Sequence, residues 1–176
     1  MNPSTYGQAV TFTASVTPAT ATGTVTFKNG SVTLGTIALA AGKAKFTTPT
    51  LTAGAHAIVA IYSGNASFGG STSPIVAQTV KKAATSTALV SSLNPSKKGQ
   101  AVTLRATIAP GAGVTGTVTF KDGAKVLGTS AVNATTHKAA ITKSTLTVGT
   151  HSITAVYGGN TNFNTSTSAV VKQVVH

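Results

Sequence analysis

The sequence predicts an all-β chain: two tandem antiparallel β-sandwiches, the first lacking its N-terminal strand. A unit of roughly 93 residues occurs twice. Within each copy, apolar and polar residues alternate with a period of two, the signature of half-buried strands. Gly, Asn, Asp and Pro break the alternation at short intervals, as turns do. No window carries helical periodicity.

The duplication sets the domain organisation. Gly7-Gln8-Ala9-Val10-Thr11 recurs as Gly99-Gln100-Ala101-Val102-Thr103, an offset of 92. Gly23-Thr24-Val25-Thr26-Phe27-Lys28 recurs unchanged as Gly116 to Lys121, an offset of 93, and Leu51, Gly54 and His56 recur as Leu146, Gly149 and His151, an offset of 95. The drift marks one inserted residue before Gly116 and two between Leu127 and Ala139. A period this long suits a self-contained domain in an array, not a solenoid repeat. The domains are expected at 1–82 and 83–176. The junction Lys81-Lys82-Ala83-Ala84 is short and contains neither Gly nor Pro, which predicts an elongated pair with limited bending.

In the second copy, Thr85–Ser91 is the first strand, rich in Thr, Val and Leu. Ala101–Ala109 follows, with Val102, Leu104, Ala106 and Ile108 on one face. Thr115–Lys121 places Val118 and Phe120 together, and Lys125–Val132 is its hairpin partner. Thr136–Lys143 turns Ala139 and Ile141 inward and Lys138 outward. Thr150–Tyr157 aligns His151, Ile153, Ala155 and Tyr157. Thr167–Val175 closes the unit. Seven short strands in this length argue for a two-sheet sandwich of the immunoglobulin type. The first copy begins at Asn2-Pro3, the counterpart of Asn94-Pro95, so the equivalent of Thr85–Ser91 is missing. Six strands and an open sheet edge are expected there, and open edges invite pairing with another chain.

Several residues are assigned structural roles. Immunoglobulin sandwiches often carry a Tyr two residues before a core position on the sixth strand. Gly54-x-His56-x-Ile58 and Gly149-x-His151-x-Ile153 match that spacing, with His in place of the corner Tyr. A ring with a polar handle can still bond a nearby backbone group. Phe27 and Phe120 occupy the third strand, where immunoglobulins bury a Trp, and are expected to be buried against His56 and Ile58 and against His151 and Ile153, respectively. Tyr62 and Tyr157 fall on the same inward face.

Composition narrows the chemistry. There is no Cys, which removes thiolate metal sites and disulfide scaffolds. Asp122 is the only acidic residue, so two-carboxylate glycoside hydrolysis and acidic Ca²⁺ loops have no ligands within one chain. The counterpart of Asp122 is Asn29, and each precedes Gly. Asp-Gly and Asn-Gly both favour a type I′ hairpin turn, so Asp122 reads as turn chemistry, not as an acid or base. A Ser-His-Asp triad would need the same Asp122. No catalytic residue, cofactor or metal site is assigned. No basic segment followed by an apolar run opens the chain, so no signal peptide is expected in it. No stretch approaches 18 apolar residues.

The net charge is +12 at pH 7. Such a field attracts polyanions non-specifically, and the candidate contacts are Lys43, Lys45, Lys81, Lys82, Lys138 and Lys143. One Arg, few aromatics and no binding motif argue against specific nucleic-acid readout. The competing reading of the charge is solubility.

The combined pattern is Gly-x-Val-Thr-Phe-x-Asn/Asp-Gly, Leu-Gly-Thr, Leu-x-x-Gly-x-His-x-Ile-x-Ala-x-Tyr-x-Gly-Asn, then Phe. It runs over Gly23–Gly30, Leu34–Thr36, Leu51–Asn65 and Phe68, and again over Gly116–Gly123, Leu127–Thr129, Leu146–Asn160 and Phe163. It resembles the bacterial Ig-like repeat. The resemblance implies an extracellular or cell-surface module, non-enzymatic, serving as a spacer that holds an adhesive or catalytic module away from the envelope. Its partners would be neighbouring repeats of a longer parent chain. The alternative it leaves is an adhesive module touching anionic surfaces through lysines. Where members of that family often carry Asp, this chain has Asn29, Asn65 and Asn160, which disfavours metal-binding variants.

Overall fold

Stretches of two-residue alternation form strands throughout the computed structural model, which describes residues 1–176 and contains no helix. The chain divides into two units, Met1–Lys82 and Ala83–His176.

In the first unit, β2 (Val10–Ser15) pairs antiparallel with β5 (Lys43–Thr48). The facing sheet contains β1 (Ser4–Thr5), β3 (Thr24–Asn29), β4 (Val32–Ala38), β6 (Gly54–Tyr62), β7 (Ser71–Thr72) and β8 (Val76–Lys81), in the order β1-β8-β6-β3-β4 with β7 also on β6. The second unit repeats this with one strand added beside the smaller sheet, while the counterpart of β1 is only a bridge between Ser96 and Val175. β9 (Ser86–Ser91) lies beside β10 (Val102–Ala109), which pairs with β13 (Lys138–Lys143) on its other side. The facing sheet runs from β12 (Lys125–Ala131) through β11 (Thr117–Asp122) to β14 (Gly149–Tyr157), which carries β15 (Ser166–Thr167) and β16 (Val171–Val175). Two facing sheets per unit, antiparallel except for the parallel β1–β8 pair, form the predicted sandwich. β9 has no counterpart in the first unit, which nevertheless holds eight strands and not the expected six, because β1 joins β8 and the last strand divides into β7 and β8.

Side chains from both sheets fill each core. Phe27 and Phe120 are 1% and 0% exposed, and Tyr62 and Tyr157 are 4% and 0% exposed. Phe27 stacks on Phe46 with ring centroids 5.7 Å apart. Gly35 permits this, because a Cβ there would sit 2.7 Å from the Phe46 ring. In the second unit Ile141 replaces Phe46 and keeps 3.7 Å from the same point at Gly128.

Two further expectations need correction. The last strand of the second unit is not continuous from Thr167 to Val175. Thr167 pairs with Val156 and Val171 with Ile153, so three residues face two and a bulge forms. Ser168 fills the gap: its N–H donates to Ala155 O at 2.9 Å, and its Oγ accepts from Ala155 N–H at 3.0 Å. Ser73 and Ala60 repeat the device in the first unit.

The second correction concerns Asp122. It is the last residue of β11, paired with Lys125, and the turn consists of Gly123 and Ala124. Of these only Gly123 has positive φ, at 54°. That is the type II′ pattern, with Gly first, and not a type I′ turn with Asp in the left-handed region. Asp122 keeps its strand conformation, and its carboxylate is available for other work.

Candidate functional site

The histidine corner forms where β11 and β14 run side by side. Their register sets Asp122 opposite Ile153, which brings its side chain diagonally to His151. His151 Nδ1 donates to Asp122 Oδ2 at 2.6 Å, and Nε2 donates to Thr147 O at 2.8 Å. Asp122 Oδ1 accepts from Ser152 N–H at 3.0 Å. With an acceptor before each ring nitrogen, the corner favours the doubly protonated imidazolium. The Thr147 carbonyl first and the Asp122 carboxylate second hold the His151 pKa above its ordinary 6.5, against the opposing effect of burial.

The first unit builds the same corner with Asn29 in the place of Asp122. Asn29 Nδ2 donates to His56 Nδ1 at 2.8 Å, and His56 Nε2 donates to Thr52 O at 2.7 Å. Asn and Asp thus exchange as partners of the ring, one donating to it and the other accepting from it. In both corners the protein already engages both ring nitrogens. The arrangement holds a proton in place and ties β6 or β14 to the segment preceding it.

Beside the second corner lies a recess of about 170 Å³, lined by Asp122, Lys125, Lys143 and His151 among others. Lys143 reaches it because it shares the inward parity of Ala139 and Ile141 on β13. Lys138, on the opposite parity, is exposed. These two lysines therefore do not share a face. Lys43 and Lys45 do, standing exposed on β5 beside Ser15 and Thr13. Lys81 and Lys82 lie at the end of β8, which belongs to the facing sheet.

The other polar groups that recur in both copies also bond backbone. Tyr62 and Tyr157 hydroxyls donate to Thr22 O and Thr115 O, each at 2.6 Å. Burial pushes the Tyr157 hydroxyl pKa up. Asn65 and Asn160 hold the loop after each tyrosine. Oδ1 accepts from the N–H groups of Ser67 and Phe68, or of Asn162 and Phe163, at 2.8–2.9 Å. Nδ2 donates to Thr22 Oγ1 at 2.9 Å or Thr115 Oγ1 at 3.1 Å. Nδ2 also donates to a backbone carbonyl, Thr22 O at 3.3 Å or Gly113 O at 3.2 Å, a bond that an Asp could not make, because an ionised carboxylate only accepts. This explains the Asn in each Gly-Asn pair, a role that could have been read from the Asn-x-x-Phe spacing.

A concavity also lies in the first unit. A groove of about 520 Å³ runs along the outer side of β2, floored by Phe27, Ile58, Ala60 and Tyr62 and walled opposite by Ser73 and Val76. It marks where β9 would lie in the second unit.

Known proteins give the following likenesses. The fibronectin(III)-like modules of CbhA from Clostridium thermocellum align at 18% identity over 98% of this chain and 90% of theirs, with a TM-score of 0.39. The D0-D1 domain of intimin aligns at 18% over 98% and 94%, with a TM-score of 0.36. The I9-I11 tandem from titin aligns at 10% over 98% and 62%, with a TM-score of 0.39. No curated protein matches the chain. The sequence model of the bacterial Ig-like domain (group 3) matches twice, over residues 1–81 and 89–176, and the chain belongs to that family as two tandem copies.

Proposed function

We propose that the chain is a non-catalytic spacer: a pair of structural repeats from a longer extracellular or cell-surface protein, presenting another module at a distance. One observation carries this. The side chains best suited to chemistry are engaged within their own unit. His56, His151, Tyr62 and Tyr157 each donate to a carbonyl of the same sandwich, and Asp122 is taken up by His151 and Ser152. Groups engaged in this way stabilise strands. The partners of such a spacer are neighbouring repeats of the parent chain.

The exposed Lys43, Lys45 and Lys138, with a net charge of +12, favour a second reading in which the repeats touch anionic polymers. Retention on immobilised heparin separates the two. The spacer reading expects elution below about 150 mM salt, where screening acts over about 8 Å. Retention well above that concentration, lost when Lys43 and Lys45 are changed to Gln, would replace the spacer with the adhesive reading.

A further inference from the structure

Two lysines around the recess beside the His151 corner set it apart from the same place in the first unit. Lys125 follows Asp122 across its hairpin, where Val32 follows Asn29. Lys143 stands opposite Val102, where Thr48 stands opposite Val10. Thr48 is buried and satisfied locally: its Oγ1 accepts from Thr50 N–H at 3.2 Å and meets Thr50 Oγ1 at 2.9 Å. Lys125 and Lys143, by contrast, make no hydrogen bond and no ion pair within the chain.

Packing explains how an ammonium group comes to rest there. The Phe46 ring covers Gly35 in the first unit, but the smaller Ile141 leaves room over Gly128, and Lys143 Nζ approaches the same point to 3.8 Å. The lysine stem thus crosses from β13 to β12, between the two sheets, and is half-buried. Lys125 stands close enough to His151 to oppose its protonation. Neither lysine is consumed by Asp122, whose two oxygens are taken by His151 and by Ser152 N–H. The recess therefore keeps a net positive charge whether or not the His151 ring is protonated. Thr145 and Thr147 add hydroxyls that make no bond within the chain, and Leu127 and Leu146 add an apolar wall. A volume of about 170 Å³ matches roughly five waters at about 30 Å³ each, room for one oxyanion and part of the group that carries it.

We propose that this recess is a binding site for a tetrahedral oxyanion ester, phosphate or sulfate, carried on a sugar. Lys125 and Lys143 hold the ester oxygens as two point charges, the mode in which lysine rather than arginine binds such groups. The Thr145 and Thr147 hydroxyls donate to the remaining oxygens, and Leu127 and Leu146 receive the C–H face of the sugar ring. Asp122 and His151 do not touch the ligand; their bond fixes the wall on which it sits. The site belongs to the second unit alone. It goes beyond the spacer reading, which requires no ligand, and it does not involve Lys43 or Lys45.

The test titrates glucose 6-phosphate, glucose 6-sulfate, inorganic phosphate and glucose into the isotope-labelled full chain, read by amide chemical shifts. Salt is held at about 150 mM, where screening of exposed charges acts over about 8 Å. Either ester should shift the amides of Val126, Thr145 and Thr147 saturably, and the tighter of the two identifies the ester. The first-unit counterparts Thr33, Thr50 and Thr52 should not move, and glucose should shift nothing. Lys125→Val with Lys143→Thr installs the residues the first unit already uses, and should weaken binding about tenfold or more, the loss of charge-assisted hydrogen bonds. Lys143→Gln, which keeps the stem, gives the same readout should the double variant fail to fold. Lys43→Gln with Lys45→Gln should leave binding unchanged, which separates this site from diffuse polyanion contact. Equal shifts in both units would overturn the proposal, as would unchanged binding in the Lys125 and Lys143 variants. Inorganic phosphate binding as tightly as the esters would overturn the sugar as carrier. Heparin elution decides the spacer reading independently of all these readouts.

Discussion

The two units share many core residues and bury them to different depths. Phe163 is 2% exposed, while its counterpart Phe68 is only half-buried, and Ala106 and Ala155 are sealed where Ala14 and Ala60 are not. Phe27 and Phe120, at the centre of each sandwich, are nearly indistinguishable at 1% and 0%. The central packing is therefore set by residues both copies share, and the periphery by a single strand. β9 packs on β14, β15 and β16, so it closes the space between the sheets as well as extending one of them.

The largest effect should come from the shared centre. Phe120→Ala should destabilise the second unit by about 3–5 kcal/mol, the range for a large aromatic removed from a core. Phe27→Ala should cost less, because Phe27 lines the groove and water entering there reduces the cavity penalty. Chemical denaturation followed unit by unit checks the order. A loss under about 1 kcal/mol for Phe120→Ala would contradict its place in the core.

Next comes the strand that only one unit has. Ser91→Ala leaves the fully buried Gln173 without the donor to its Oε1. A cost of about 1–3 kcal/mol is expected, the penalty of an orphaned buried acceptor, with the first unit's melting unchanged.

The smallest effect distinguishes the corners. The His151 pKa is raised in the folded unit, so the folded state binds its proton more tightly than the unfolded chain does. The stability this supplies is complete below about pH 6.5, the ordinary value, and is lost as pH climbs through the raised one. The expected loss is a few tenths to about 1 kcal/mol, the scale of a partly exposed ion pair. Asp122→Asn recreates the Asn29–His56 corner and should flatten this dependence. Melting temperatures of both proteins across pH 6 to 9 would show it, and parallel profiles would contradict the assignment.

Much of this was legible from residue order. Period-two alternation located the strands, the 92-to-95-residue offset located the copies, and the lack of a Thr85–Ser91 counterpart located the open edge. The Asp122–His151 pair was not legible, because 29 residues separate its members and only the β11–β14 register brings them together. The turn preference of Asp-Gly pointed elsewhere, since Gly123 alone satisfies the positive φ. The clue was the exchange of Asp122 for Asn29 opposite an unchanged His: both can partner a ring nitrogen. The face taken by Lys143 was also missed, because a strand end reads as solvent whichever way its parity points.

Amide hydrogen exchange at four positions tests most directly whether a single strand separates the two units. Arg105 and Thr107 direct their N–H groups at β9, and Thr13 and Ser15 direct theirs at the open side of β2. Because local protection follows ladder pairing and burial, Arg105 and Thr107 should exchange slowly, and Thr13 and Ser15 at least a hundredfold faster. Phe12 and Leu104, both bonded on the opposite side, should stay protected. Equal protection of all four edge amides would contradict the account, because it would mean that the first unit's edge is already closed.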